Sequence, residues 1–233
     1  MLCARWCGIE IAPIRRQGRQ TMHRYDLPRR SLAYGIAGLA GFVDAAGFLA
    51  AGGYFVSFMS GNTTRFGVEA ATRPEAALVP ILLILCFVSG VTAGAVVANR
   101  SERPKSAVLM LSTLLIGTGA AAHALGAIAL FVGMSALAMG AINNAFRREG
   151  EVAVGVTYMT GALVRFGQGL AARLTGRQAP GGLAHLLLWA SLAAGAVLGA
   201  HVTIGLPALA PWIPLVWAAG LCIAARRIER ARA

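Results

Sequence analysis

The chain has 233 residues, 57% hydrophobic and only 13% charged, against about 45–50% and about 25% in soluble domains. A mean hydropathy of +0.67 leaves too little polar surface to solvate a chain of this size, which excludes most cytosolic enzyme classes and selects lipid as the solvent. The net charge of +12 is no nucleic-acid footprint, because the 21 Lys and Arg residues sit between apolar runs and not in one stripe beside aromatics.

Residues 1–30 carry seven arginines against Glu10 and Asp26, include Pro13 and Pro28, and lack a sustained apolar period. They read as a basic, weakly ordered cytoplasmic arm. No cleavable signal is evident, and a start at Met22 would lose little, since residues 23–30 already supply a basic flank for the first span. The four cysteines, Cys3, Cys7, Cys86 and Cys222, form no C-x-x-C pair and have no histidine at ligand spacing, so neither a disulfide framework nor a metal site is expected.

Apolar runs follow at 33–53, 80–98, 106–124, 127–146, 184–203 and 207–225. At 1.5 Å per residue, a helix of about 20 residues matches a hydrocarbon core about 30 Å thick. Two further segments, 54–71 and 152–174, are apolar but carry an arginine and several hydroxyl or amide side chains, and they decide between six crossings and eight. Six crossings with a cytoplasmic N-terminus leave 19 basic residues inside and only Arg65 and Arg73 outside, whereas eight leave 14 inside and 5 outside. The retention of Lys and Arg on the cytoplasmic side therefore favours six, with both termini inside. A basic tail, 227–233, closes the chain.

The segment Phe58-Met-Ser-Gly-Asn-Thr-Thr-Arg-Phe-Gly67 recurs 100 residues later as Tyr158-Met-Thr-Gly-Ala-Leu-Val-Arg-Phe-Gly167, identical at five of ten positions. The same offset pairs Asp44-Ala45 with Asn144-Ala145, and the helices after the motifs each contain G-x-x-x-G, at Gly90/Gly94 and Gly195/Gly199. Such self-similarity marks a duplication. Each copy, residues 31–124 and 125–226, contains three crossings, an odd number, so the second lies inverted relative to the first. The expected fold is an all-α polytopic membrane protein of about six transmembrane helices in two inverted three-span repeats, each with a broken or re-entrant motif helix. In that arrangement binding groups gather near the midplane, where the repeats meet.

In the first motif a short aromatic and β-branched stretch precedes Ser60, Gly61, Asn62, Thr63 and Thr64, whose side chains can cap a new helix resuming at Arg65. Asp44 lies within the first span, where an ionised carboxylate costs about 2.5–3.5 kcal/mol on insertion scales. It either binds a ligand or proton, or pairs with Arg65 or Arg165. Those two arginines share one repeat position and can pair with Asp44, hold a substrate anion or snorkel to an interface. Asn143 and Asn144 can bridge helices or coordinate a ligand. With Ser60 and Thr160 these complete the candidate binding set; the histidines and tryptophans read as interfacial or structural.

The run Gly41-Phe-Val-Asp-Ala-Ala-Gly-Phe48, then Phe55-Val-Ser-Phe-Met-Ser-Gly-Asn-Thr-Thr64, and the later Asn144-Ala-Phe-Arg147 with Thr157-Tyr-Met-Thr-Gly-Ala-Leu-Val-Arg165, resemble the YoaK family of bacterial inner-membrane proteins. The resemblance covers roughly residues 24–227 and implies an integral membrane protein of about six spans, with transport a common suggestion. Asn143 departs from it, standing where the family usually has a glutamine. The expectation is thus a small-solute or ion permease of the bacterial inner membrane, without cofactor or enzymatic motif. Its partners are the bilayer, an unidentified solute and, because six helices make a thin wall, a second copy in a homodimer. The alternative is a non-transporting membrane scaffold.

Overall fold

Apolar runs in lipid satisfy their backbone polar groups internally by forming helices. The structure, a computed structural model, describes residues 27–148, 151–152, 159–176 and 182–231. These form eight α-helices: α1 (Leu27–Ala50), α2 (Met59–Thr72), α3 (Leu78–Arg100), α4 (Pro104–Ala124), α5 (Ile128–Ile142), α6 (Met159–Leu174), α7 (Gly182–Gly205) and α8 (Trp212–Arg230). A 3-10 turn, Asn143–Ala145, prolongs α5, and Arg147–Arg148 pairs antiparallel with Glu151–Val152 in the only extended pairing among the described residues.

Five helices are long and apolar enough to cross a membrane: α1, α3, α4, α5 with its 3-10 turn, and α7. The sixth predicted run, 207–225, is displaced. Pro211 holds the N-cap and Pro214 the first turn, so α8 begins at Trp212 and runs on through Arg226, Arg227, Glu229 and Arg230. The presumed tail from 227 is therefore helical through Arg230. At the other end α1 starts at Leu27, with Pro28 in its first turn, so the last four residues of the expected arm are helix. Cys3, Cys7 and the rest of the arm lie outside the described residues. Helices α2 and α6 have 14 and 16 residues, too short at 1.5 Å per residue for a core of about 30 Å.

Contacts fix the helix directions. Gly38 of α1 lies against Ser191 and Gly195 of α7, and Phe42 against Gly199, so these two run parallel. In the same way Gly90 of α3 meets Leu137 of α5, and Gly94 meets Ala141. By contrast, Gly35 touches Leu221 while Gly38 touches Trp217, setting α1 antiparallel to α8. Helix α4 is antiparallel to both α5 and α8: Ser112 Oγ donates to the Ala138 carbonyl at 3.3 Å while Gly119 nears Phe131, and Cys222 Sγ reaches the Ser106 carbonyl while Leu215 nears Gly117. Consequently α1, α4 and α7 run one way and α3, α5 and α8 the other. α1 and α5 are the most enclosed, each 67% buried over its apolar stretch, while α3 and α7 are only 22% and 28% buried.

Lipid tails are as apolar as Leu, so helix association in lipid depends on close packing, and glycine permits it. A Cβ on Gly41 would overlap the Leu192 carbonyl, and one on Gly195 or Gly199 would overlap the carbonyls of Gly38 or Phe42. The α3–α5 crossing repeats this position for position: Gly140 abuts the Phe87 carbonyl, Gly90 that of Leu137 and Gly94 that of Ala141. At the far end of α4, the Glu229 carboxylate accepts from the Lys105 and Ser106 N–H groups at 2.9 and 3.1 Å, satisfying two orphan donors of a helix N-terminus.

Candidate functional site

Between α1 and α2 the chain turns through Gly52 and Gly53, whose φ values of 65° and 95° lie in the left-handed region. It then runs outside helix and strand to Phe58, bending at Val56 and Ser57 and leaving backbone groups that no helix satisfies. Two side chains satisfy them. Asp44 Oδ1 accepts from the N–H groups of Val56 at 2.9 Å and Ser57 at 2.8 Å. Asn62 Oδ1 accepts from the Phe55 N–H at 3.0 Å, while its Nδ2 donates to the Phe55 carbonyl at 2.7 Å. Asn62 is fully buried, and Val56 beneath it packs on Gly47, where a Cβ would collide. Three consecutive N–H groups are thus held by two side chains from opposite flanks. Three rings in contact, Phe48 tilted on Phe55 with centroids 4.9 Å apart and Phe58 edge-to-face with Phe55 at 5.2 Å, cover the turn.

Helix α2 presents Asn62, Arg65 and Glu69 on one face, at i, i+3 and i+7. The Arg65 guanidinium donates to the Gly53 carbonyl, lies 4.3 Å from the Tyr54 ring centroid, and reaches Glu69 Oε1 at 3.4 Å. Tyr54 Oη donates to the same Oε1 at 2.8 Å, and Arg73 stands 3.9 Å from it. Desolvation, then the bond and charge of Glu69, push the Tyr54 hydroxyl above the ordinary phenol range, so it remains a donor. Glu69, only 3% exposed, is the residue that sequence reasoning missed. Its spacing from Asn62 and Arg65 was the available signal.

The structure separates the other expected site residues. The break in the motif is present, but α2 begins at Met59, with Phe58 as an N-cap that makes no side-chain bond. Ser60, Thr63 and Thr64 therefore lie inside the helix and cap nothing. All three are exposed, and the Thr63 and Thr64 hydroxyls donate to the carbonyls of Met59 and Ser60, one turn back. Asp44 bonds to the loop backbone, while Arg65 takes Glu69 as its ion-pair partner.

Because α1 and α5 are antiparallel, the turn after α5 lies at the opposite end of the bundle from Asp44. There Asn144 Nδ2 donates to the Val91 carbonyl at 3.0 Å and bridges α5 to α3, while Asn143 Nδ2 donates to the Met139 carbonyl at 2.9 Å. Thr160 is exposed on α6. Arg165 Nη1 lies 3.4 Å from Nε2 of buried His185, joining α6 to α7; facing a guanidinium, that nitrogen acts as acceptor. Thr157 and Tyr158 fall outside the described residues. Helix α2 packs on α3 and α6 on α7, so the two motifs do not converge on one midplane cluster. Among the described residues no group of three or more His, Cys, Asp or Glu is placed to hold a metal ion.

Residues 32–224, which include α2 to α7 whole and most of α1 and α8, match a family described as protein of unknown function (DUF1275). The chain belongs to this family. Its sequence is also 36% identical over 217 residues, 93% of this chain and 95% of the relative, to a UPF0700 transmembrane protein of Rhizobium meliloti (strain 1021). No solved structure matches the chain. The protein is thus an integral, multi-pass membrane protein of an uncharacterised family, and the bilayer is its environment.

Proposed function

We propose that this DUF1275 protein is a secondary transporter or permease for a small solute or ion, built from inverted repeats α1–α4 and α5–α8. The observation that carries the reading is the correspondence between the α1–α7 and α3–α5 crossings, in which the glycine–carbonyl contacts match one for one. The opposed helix directions, the shared enclosure of α1 and α5, and the duplicated motif agree with it. In this reading α8 is the sixth crossing, its apolar half in lipid and its arginines at the inner surface, and both termini are cytoplasmic in a bacterial inner membrane. The resemblance to the YoaK family points the same way.

In this reading the polar groups at the two ends of the bundle, Asp44, Asn62, Arg65 and Glu69 at one and Asn143, Asn144, Arg165 and His185 at the other, form two mouths that suit alternating access by a solute. Rocking of one repeat against the other, on the two glycine crossings, would expose each mouth in turn. The test is flux in proteoliposomes, screened first by thermal stabilisation of the purified protein. Arg65→Ala and Arg165→Ala are each expected to abolish or strongly reduce flux of any solute carried by the wild type. Variants that insert normally and leave every such flux unchanged remove the assignment.

One observation favours a second reading, a scaffold or accessory subunit: Asp44 Oδ1 and both ends of the Asn62 amide are engaged by the protein's own backbone. Co-purification of a stoichiometric partner, with no solute shifting the melting temperature, would favour it.

A further inference from the structure

Glu69 is the most enclosed acid of the first mouth, and it is used on one side only. Tyr54 Oη, Arg65 Nη2 and Arg73 Nη2 converge on Oε1, at 2.8, 3.4 and 3.9 Å. The other oxygen, Oε2, is buried without a hydrogen-bond partner, and so is Nε of Arg65. Buried polar atoms are rarely left so, because each forfeits its hydration without replacement. An orphan acceptor on one member of an ion pair and an orphan donor on the other are two halves of an unmade interaction.

The charged and titratable groups around Glu69 are Tyr54 from the turn and Arg65 and Arg73 from α2 and its C-cap. Helix α3, packed against α2, carries two ionisable side chains: Cys86, which faces Gly133 of α5, and Arg100, at the distant end of 23 residues. Among the described residues no acid other than Glu69 is in contact with Arg65, so the charge of one carboxyl decides how firmly Arg65 is held.

We propose that Glu69 is a proton-operated latch on Arg65, and that the released guanidinium takes a small planar anion, a carboxylate or an oxyanion of similar size. The proton passes from water to Oε2, the oxygen with unused acceptor capacity, and Glu69 becomes a neutral acid. Arg65 then has no counter-charge, and its Nε and Nη2 edge offers the parallel pair of donors that a carboxylate accepts. One proton and one monovalent anion enter together, and loss of the proton expels the anion by restoring the ion pair. The inference deepens the transport reading and rests on it for its use.

The experiment is peptide-level mass spectrometry of the full chain in lipid nanodiscs after reaction with phenylglyoxal, an arginine-selective reagent. Glu69→Gln fixes the neutral form, and Arg65 is expected to label about tenfold faster than in the wild type, the loss of one charge-assisted contact. Acetate or inorganic phosphate is expected to protect Arg65 in Glu69→Gln more than in the wild type. Tyr54→Phe leaves the carboxylate charge in place and is expected to label close to the wild-type rate. Arg73→Gln, which removes the competing cation, is expected to label more slowly and keeps the test open should Glu69→Gln fail to fold. Equal Arg65 rates in wild type and Glu69→Gln, no slowing in Arg73→Gln, or a Tyr54→Phe rate as high as that of Glu69→Gln overturns the latch. Faster labelling in Glu69→Gln without solute flux in the reconstituted wild type leaves the latch and removes the transport reading. Flux with unchanged labelling removes the latch alone.

Discussion

Helices α2 and α6 begin from one ten-residue pattern, yet their neighbourhoods differ at almost every polar position. Where α2 has Asn62, fully buried and bonded twice to Phe55, α6 has Ala162, buried and apolar. Where α2 has Glu69 to balance its arginine, α6 has Gly169, which instead lets the start of α7 approach at Gly182. Arg65 is neutralised within its own helix, and Arg165 turns to His185 on the next. The two similar segments thus use their polar groups differently: the first motif carries its own supports, and the second leans on α7. In the transport reading, this asymmetry allows the two mouths to differ in affinity although the crossings behind them match.

The largest expected effect follows from the supports that only the first motif has. Removing Asn62 as Asn62→Ala leaves the Phe55 N–H and carbonyl unsatisfied in a partly buried turn, and Asp44→Ala does the same to Val56 and Ser57. Each is expected to cost about 2–4 kcal/mol, two lost bonds with their desolvation penalties. The double variant is expected to lose less than the sum, since both hold one segment. Asp44→Asn keeps a carbonyl acceptor and is expected to cost under about half as much. Ala162→Gly on α6, which removes one methyl and no hydrogen bond, is expected to cost about 1 kcal/mol. Equilibrium unfolding in mixed micelles measures all of these, and an Asn62→Ala loss no larger than that of Ala162→Gly would break the comparison.

Much of the long-helix architecture was legible because lipid imposes one rule on backbone polar groups, and runs near 20 residues obey it. What was not legible depends on direction and on side-chain rotation. Three crossings per copy lead one to expect an inversion and a shared midplane site, but α1 and α5 run antiparallel and set the turn after α1 and the turn after α5 at opposite ends, so Asp44 and Asn144 do not share a cluster. Hydroxyl-rich Ser60–Thr64 looks like a cap, yet Asn62 and Asp44 already hold the turn, and helix begins one residue before Ser60. Once α2 is helical from Met59, Thr63 and Thr64 rotate outward and Glu69 rotates in with Arg65. Glu69 sits beyond the repeated segment, which is why similarity between the copies never drew attention to it.

Gly61 and Gly161 sharpen the comparison at a repeat-equivalent position. A Cβ on Gly61 would strike the Phe58 ring and come within 2.9 Å of the Phe55 ring, whereas a Cβ on Gly161 meets nothing within 4 Å. Both residues are helical, so alanine gains about 1 kcal/mol of propensity at either site. At Gly161 that gain is expected to appear as slightly raised stability. At Gly61 the displaced rings are expected to reverse it, for a net loss of about 1–2 kcal/mol of the kind that overpacking brings. Melting temperatures that move in the same direction for Gly61→Ala and Gly161→Ala would show that the aromatic cover on the first turn is dispensable.

The smallest effect is expected where the sequence looked most polar. The Thr63 and Thr64 hydroxyls donate to carbonyls already engaged in the α2 ladder, and both side chains are exposed. Such bonds replace contacts with water or lipid headgroups and bend the helix slightly more than they stabilise it. Alanine removes a β-branched residue from a helix, a gain of a few tenths of a kcal/mol that offsets the lost bond. Thr63→Ala and Thr64→Ala are therefore expected to stay within about 0.5 kcal/mol of wild type, as exposed substitutions usually do. Any solute flux should likewise be retained, because the face that meets Glu69 and the turn is untouched. Loss of flux in Thr63→Ala or Thr64→Ala at unchanged stability would move the solute path to the outer face of α2 and away from Arg65.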